Sequence, residues 1–150
     1  VALHAVRRAG EVRDRRVLVT GAGPIGCLVV AALRPAWPDE VDVAIEASGA
    51  PAAFADCVGT VRPRGTVVML GMLPPGEVGL VASTVVTREL HLAGAFRFDT
   101  EFDTALDLLA SGLDVEPVIT HTVPLSEARA AFDLAGDRTT ASKVLLDLGS

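Results

Sequence analysis

Short, uninterrupted apolar runs, each closed by glycine and followed by apolar positions at helical spacing, organise this chain. Val17 to Val19 reads as a buried strand, after which Ile25, Leu28, Val29 and Ala32 recur with the period of a helix. That helix is expected to stop at Arg34, because Pro35 disfavours the α region in the residue before it, and Pro35 to Glu40 reads as a loop. Val41 to Gly49 is a second strand with a glycine exit, and Pro51 opens a helix running through Phe54 and Val58. Arg62-Pro-Arg-Gly65 reads as a turn ahead of a third apolar strand, Thr66 to Leu70, closed by Gly71. Alternation of this kind predicts an α/β fold with a parallel sheet covered by helices.

The flanking segments extend the pattern. Val1 to Ala9 reads as a helix with Leu3 and Val6 inward, closed by Gly10, and Pro74 to Gly76 as loop. Gly79 to Thr87 admits a strand followed by a short helix, a choice the pattern leaves open, and Glu89 to Gly94 alternates as a strand. Thr100 is placed to cap a helix carrying Phe102, Leu106 and Leu109 on one face, stopped by Gly112. Pro117 to Val123 is extended. Ser126 is placed to cap a helix bearing Ala128, Ala131, Phe132 and Ala135, ended by Gly136, and Lys143 to Leu148 closes the chain as a strand.

Composition narrows the classes. A length of 150 residues suffices for one compact domain with a real core, and 50% hydrophobic residues with a mean hydropathy of +0.45 argue against disorder. A net charge of -6 provides no electrostatic footprint for nucleic acid or an anionic membrane. No stretch approaches the ~18 consecutive apolar residues of a membrane span. The charged N-terminal stretch is unlike a signal peptide, and two unpaired-looking cysteines fit the reducing cytoplasm expected for this chain. Arg7, Arg8, Arg13, Arg15 and Arg16 cluster near the start, but Glu11 and Asp14 interrupt them, as in a solvated helix face. Cys27 and Cys57 lie in apolar helical contexts and read as small buried hydrophobes, with no Cys or Cys/His spacing of a metal site. His4, His91 and His121 stand singly and read as structural.

The candidate chemistry lies in Gly21-x-Gly23-x-x-Gly26, between the first strand and the first helix, where a dinucleotide fingerprint belongs. Gly21 permits the tight turn, Gly23 lets a pyrophosphate approach the backbone, and Gly26 lets the helix pack closely. The amides and positive dipole end of the helix then face the phosphates. The competing reading is a glycine-rich turn in some other α/β protein.

Four stretches together carry a more specific signal: Val-Thr-Gly-Ala-Gly-Pro-Ile-Gly (19–26), Asp-Val-Ala-Ile-Glu-Ala-Ser-Gly (42–49), Gly94-Ala-Phe96-Arg97-Phe98, and Ile119-Thr-His-Thr-Val-Pro-Leu125. The last is followed by Glu127-Ala, Ala131-Phe132 and Lys143-Val-Leu. In this wording and order the chain resembles the medium-chain, zinc-dependent alcohol dehydrogenases, most closely the polyol branch of sorbitol, L-idonate and threonine dehydrogenases. The resemblance implies a Rossmann-type doubly wound parallel sheet that binds NAD, or alternatively NADP. Gly21, Gly23, Pro24, Ile25 and Gly26 would hold the pyrophosphate. Ala47, Ser48 and Gly49, with Leu70, Gly71 and Met72, would line the adenosine and nicotinamide-ribose side. Phe96 and Arg97 would lie near the nicotinamide end and the phosphates. Arg97 offers the planar fork of donors that suits a phosphate, although a surface arginine after a strand would look the same. Lys143 would add a phosphate contact. Gly71 admits a ligand at the strand end or serves the turn alone.

Two departures from the family matter. Its catalytic zinc ligands lie in an N-terminal domain absent here, so no catalytic or metal-binding residue is assigned, zinc is expected only in a full-length enzyme, and this chain alone should not catalyse. The family also has a β-α-β segment, carrying the residue that selects NAD or NADP, where only Pro35 to Glu40 stands here. The sheet thus lacks its second and third strands, with a segment missing near 34–41. Glu46, some twenty residues past Gly26, is an alternative ribose acid, but Glu-Ala-Ser-Gly resembles the family's fourth strand rather than its second. In the family's 3-2-1-4-5-6 sheet, joining strand one directly to strand four through a helix in its family position makes a left-handed crossover, seen about once in fifty. Finding that helix on the other face would overturn the idea of a missing segment.

The resemblance divides the chain into a linking helix (1–12), a dinucleotide-binding domain (13–98) and a part returning to a GroES-like catalytic domain (99–150). Phe102, Leu106, Leu109 and Phe132 would pack against residues this chain lacks, and the 80–95 edge would join copies into a dimer or tetramer. The implied reaction is hydride transfer from a secondary alcohol of a small polyol or sugar acid. A non-catalytic NAD(P)-binding module and a zinc-free, quinone-reductase-like branch are the alternatives.

Overall fold

The computed structural model describes residues 1–32, 40–137 and 139–149. Two compact units emerge, Val1–Ala105 and Leu106–Ser150. In the first, the apolar runs become β1 (Val17–Thr20), β2 (Val41–Glu46), β3 (Val61–Met69) and β4 (His91–Gly94), an all-parallel sheet in the order β1-β2-β3-β4. Among the described residues the outer edge of β1 bears no strand, as the resemblance implies for a sheet without its second and third strands.

The helices are α1 (Ala2–Arg8), α2 (Pro24–Ala32), α3 (Pro51–Thr60) and α4 (Ala82–Thr87). Two cores form because successive side chains of a strand point to opposite faces. Val17, Val43, Ile45 and Val68 pack with Ala5 and Ala9 of α1 and with Val29 of α2. Ala44 and Val67, with half-buried Leu18, pack with Phe54, Cys57 and Val58 of α3, and Val85 of α4 joins them. Val43 and Ile45 are fully buried, each contributing about 1.5–3 kcal/mol.

This placement fixes the hand of the connections. The chain steps in one direction across the sheet, yet α2 lies on one face while α3 and α4 lie on the other. The second and third crossovers therefore share a hand and the first has the opposite one. Right-handed crossovers prevail in about 98% of cases, so a pair of opposed hands is itself unusual. α2 thus lies on the opposite face from α3 and α4, as the corresponding helices do in a full 3-2-1-4-5-6 sheet. The expected helix stop at Arg34 and the loop residues 35–39 lie outside the described residues.

Several local expectations are corrected. Arg62–Gly65 is not a free turn but part of β3: Val41 pairs with Val61 and Val43 with Thr66, so these four residues bulge from the ladder. Arg64 there has φ +62°, and Gly65 sits so close under Asp42 that a Cβ would come 2.7 Å from its carbonyl oxygen. Residues 79–81 form no strand, leaving only α4 of the two elements considered there. In α1 the fully buried residue is Ala5, flanked by half-buried Val6 and Leu3. Cys57 is buried as expected, but Cys27 is exposed, because it faces away from the sheet side that Val29 occupies.

A helix α5 (Glu101–Ala110) begins in the first unit directly after Thr100 and ends before Gly112, which has φ +94°. The second unit pairs β5 (Ile119–Pro124) with β6 (Lys143–Asp147) in parallel, with α6 (Ala128–Gly136) packed on both strands. Ser126 does not cap α6. It lies in a 3-10 turn, Leu125–Glu127, and the helix starts behind Glu127 without a side-chain cap. Among the described residues no helix is long and apolar enough to cross a membrane.

Candidate cofactor groove

The candidate residues of the first unit gather where β1, β2 and β3 end, the edge at which parallel α/β sheets bind ligands. The three strand ends are stitched through their main chains. Thr20 O accepts from Ala47 N at 2.9 Å, and Glu46 O accepts from Leu70 N at 2.9 Å and Gly71 N at 2.8 Å.

The glycines of the first turn divide their labour. Gly21 has φ +96°, and a Cβ on it would come 2.8 Å from Ser48 N, so it allows both the turn and its approach to the β2 exit. A Cβ on Gly26 would come 2.0 Å from Gly21 O: the residue closes the first turn of α2 onto the glycine loop itself. Gly23 is different: among the described residues nothing lies within 4 Å of the position a Cβ would take. Among the described residues it is the one glycine of the motif whose lack of a side chain serves no contact. Helix α2 runs from Pro24 behind it, its first turn carries no acidic residue, and Cys27 N donates to Gly23 O at 3.0 Å. First-turn amides ahead of such a bond have no intrahelical acceptors and favour an anion.

The β2 exit is held by a group that sequence reasoning weighed only as a ribose acid. Glu46 is 1% exposed, and its Oε1 accepts from Ser48 N at 2.7 Å, Ser48 Oγ at 2.5 Å and Gly49 N at 2.9 Å. Its Oε2 is buried and meets no hydrogen-bond partner among the described residues. A carboxylate so enclosed is spent on its own turn and is not presented to a ribose. Gly71 is needed by the turn: a Cβ there would come up against Gly49 N and lie 2.6 Å from Glu46 Oε2. Gly49, at φ +73°, would in turn strike Met72 O. The two exits interlock main chain to main chain, leaving Ser48 and Met72 exposed on the rim and Leu70 packed on the α1/α2 core.

After β4, Ala95 N donates to Met69 O at 2.9 Å, and the chain then exposes Phe96, Arg97 and Phe98. Arg97 takes a left-handed conformation, φ +56°, with its guanidinium 5.1 Å from the Phe96 ring centroid. Lys143 stands in the second unit, exposed at the first position of β6 beside Ile119. Among the described residues no group of three or more His, Cys, Asp or Glu is placed to hold a metal ion.

Thr20 Oγ1 lies 3.8 Å from Cys57 Sγ beneath this edge, and burial pushes that thiol up to about 11. At the opposite end of the strands Asp42 Oδ2 accepts from Arg16 N at 2.7 Å and Oδ1 from Arg62 Nε at 2.5 Å. The Arg62 guanidinium and the Arg16 amide hold the Asp42 carboxyl down at about 2. Neither the clamp nor its tie across three strands was visible in the sequence, where Asp42 is one polar position in an apolar strand.

Comparison with known proteins agrees with this geometry. Residues 24–111, more than half of the chain, match the family model of zinc-binding dehydrogenases. L-Idonate 5-dehydrogenase (NAD(P)(+)) of Escherichia coli K12 is 31% identical over 186 aligned positions, covering 97% of this chain and 54% of that protein. Since 97% of 150 residues is about 146, some 40 residues of that relative have no counterpart here. The crystal structure of L-idonate 5-dehydrogenase from Escherichia coli superposes with a TM-score of 0.88 at 29% identity, over 97% of this chain and 53% of the other. A zinc-binding dehydrogenase of Sinorhizobium meliloti 1021 bound to NADP gives 0.83 at 25% identity, over 97% of this chain and 55% of the other. The chain spans about half the length of these relatives. It belongs to the zinc-binding dehydrogenase family.

Proposed function

We propose that this chain supplies the NAD(P)-binding groove of a zinc-dependent oxidoreductase acting on a secondary alcohol of a small polyol or sugar acid. The open approach at Gly23, framed by a turn that Gly21 and Gly26 pack tightly, is the observation that carries the reading. Pro24, Ile25 and Gly26 offer a helix N-terminus to the pyrophosphate. Ala47, Ser48 and Gly49, with Leu70, Gly71 and Met72, form the two interlocked exits along which the ribose and nicotinamide would lie. Arg97 supplies a cation for a phosphate. Bound nicotinamide supplies the hydride acceptor. The residues of this chain bind and orient it. Support for the substrate class comes from the name of the L-idonate relative. Residues 99–150 are assigned to the catalytic domain of the whole enzyme, where the zinc ligands would also reside, and the β4 edge to pairing between copies. The chain by itself is expected to bind cofactor without turnover.

Titration calorimetry of the chain with NADH and NADPH tests this. Saturable binding that Gly23→Val abolishes, with the unfolding midpoint unchanged, is the expected result. Binding untouched by that substitution sinks the assignment of the groove.

A further inference from the structure

Two neighbouring arginines of α1 reach the two ends of the segment that carries Arg97. Arg8 Nε donates to Gly94 O at 3.0 Å, where the chain leaves β4. Arg7 Nη1 donates to Glu101 Oε1 at 2.7 Å and to Thr100 Oγ1 at 3.0 Å, where α5 begins. Glu101 is 8% exposed, and its Oε2 accepts from Asp99 N at 2.9 Å, with His4 Nδ1 3.2 Å away. The Asp99 amide first, and the Arg7 guanidinium with it, hold the Glu101 carboxyl at about 2, so it is ionised near neutrality.

Between these anchors Phe96, Arg97 and Phe98 are all exposed, and Arg97 holds a left-handed backbone that non-glycine residues keep only when their surroundings impose it. Phe98 stacks on Phe102, ring centroids 5.1 Å apart, on the α5 side. The Arg97 guanidinium meets no carboxylate among the described residues, whereas Arg7, Arg16, Arg62, Arg64 and Arg88 each do. Arg7 is 60% exposed, and an ion pair so wet adds little to overall stability. Its geometry, two bonds from one nitrogen to the start of α5, constrains position instead.

We infer that Glu101, with Arg7 and Arg8, is a positioning clamp that fixes the 95–100 segment and so aims Arg97 at the bound cofactor. The inference rests on the reading that Arg97 meets the cofactor. The α1 arginines thereby take on a task that the pattern of a solvated helix face does not suggest.

Two measurements on the full chain test it. In native-state trypsin digestion followed by mass spectrometry, cleavage after Arg97 should be slow and should rise several-fold in Glu101→Ala and in Arg8→Met, while cleavage after Arg129 stays the same. Arg8→Met leaves the buried carboxylate intact and keeps the test valid if Glu101→Ala fails to fold. Unchanged cleavage after Arg97 overturns the clamp, whatever the cofactor does. In NADH titrations Arg97→Ala should weaken binding about tenfold and Arg8→Met several-fold, and the double variant should be no weaker than Arg97→Ala alone. Additive losses overturn the inference that the clamp acts through Arg97. An Arg97→Ala variant with unchanged affinity instead removes the underlying reading of Arg97.

Discussion

Gly26 lies so close to Gly21 that a methyl group on it would come 2.0 Å from the Gly21 carbonyl oxygen. Both residues are main chain, so neither can rotate away. Gly26→Ala should push the first turn of α2 off the glycine loop and cost about 1–3 kcal/mol by overpacking. Denaturant unfolding should register that cost, and calorimetry a loss of NADH binding with it. Gly23→Val, three residues earlier, should stay within about 0.5 kcal/mol of the parent in stability, as surface substitutions do, while losing binding. A Gly23→Val protein as unstable as Gly26→Ala would mean that the open space at Gly23 is not open.

Glu46 should prove structural. Removing its carboxylate in Glu46→Ala strands Ser48 N, Ser48 Oγ and Gly49 N beneath the groove rim, a loss of about 1–3 kcal/mol for each donor that water fails to reach. A lowered urea midpoint is the expected readout, and Glu46→Gln, which keeps an acceptor oxygen, should recover much of it. If Glu46→Gln were fully stable yet switched the chain between NADH and NADPH, the carboxylate would be reading the ribose after all.

Much of this edge was legible beforehand, and the reason is physical. A strand buried on both faces is apolar over most of its length, so Val17–Val19, Val43–Ile45 and Val67–Leu70 announce themselves without partners. The glycine turn likewise needs particular residues at fixed steps. Arg62–Gly65 was opaque because a bulge in a ladder uses the same residues as a turn, and only the pairing of Val43 with Thr66 separates them. Cys27 misled because an apolar helix reveals its buried side only when its neighbours are known. Asp42 and Glu101 gave no signal, since their partners lie 20 and 94 positions away.

Acid should loosen the first unit. The Asp42 and Glu101 carboxyls, each held at about 2 in the folded chain, rise to their ordinary 3.8 and 4.5 when it unfolds. Depressed carboxyls stabilise the fold above their unfolded values, and that stabilisation drains as pH falls from about 4.5 towards 2. Urea midpoints measured from pH 7 to pH 2.5 should decline across that window. Asp42→Asn should begin lower and decline less. A parent midpoint that stays level to pH 2.5 would contradict the clamp between Asp42, Arg16 and Arg62.

The two thiols should behave unlike each other. Cys27 is exposed, whereas Cys57 is enclosed and its thiol is pushed up to about 11, leaving little of the reactive thiolate near neutrality. A thiol reagent at pH 8 should modify one cysteine per native chain, and Cys27→Ser should abolish that fast reaction. Denaturation should release the second. Two fast thiols in the native chain would place Cys57 outside the core.

The opposed hands of the first two crossovers separate two things that usually travel together. Strand neighbours recognise one another through their ladder and their shared faces, and the chain joining them only has to arrive. A groove assembled from strand ends therefore depends on which strands are neighbours rather than on the route that joins them. By the same logic, the stretch between Ala32 and Glu40 is the natural place to splice a strand-helix-strand cassette. Such a graft would add the β1 neighbour and its ribose-reading side chain while leaving the Gly21–Gly26 turn and the Glu46 exit as they stand. The length and sequence of that link can therefore change while the edge where the strands end keeps its main-chain ties.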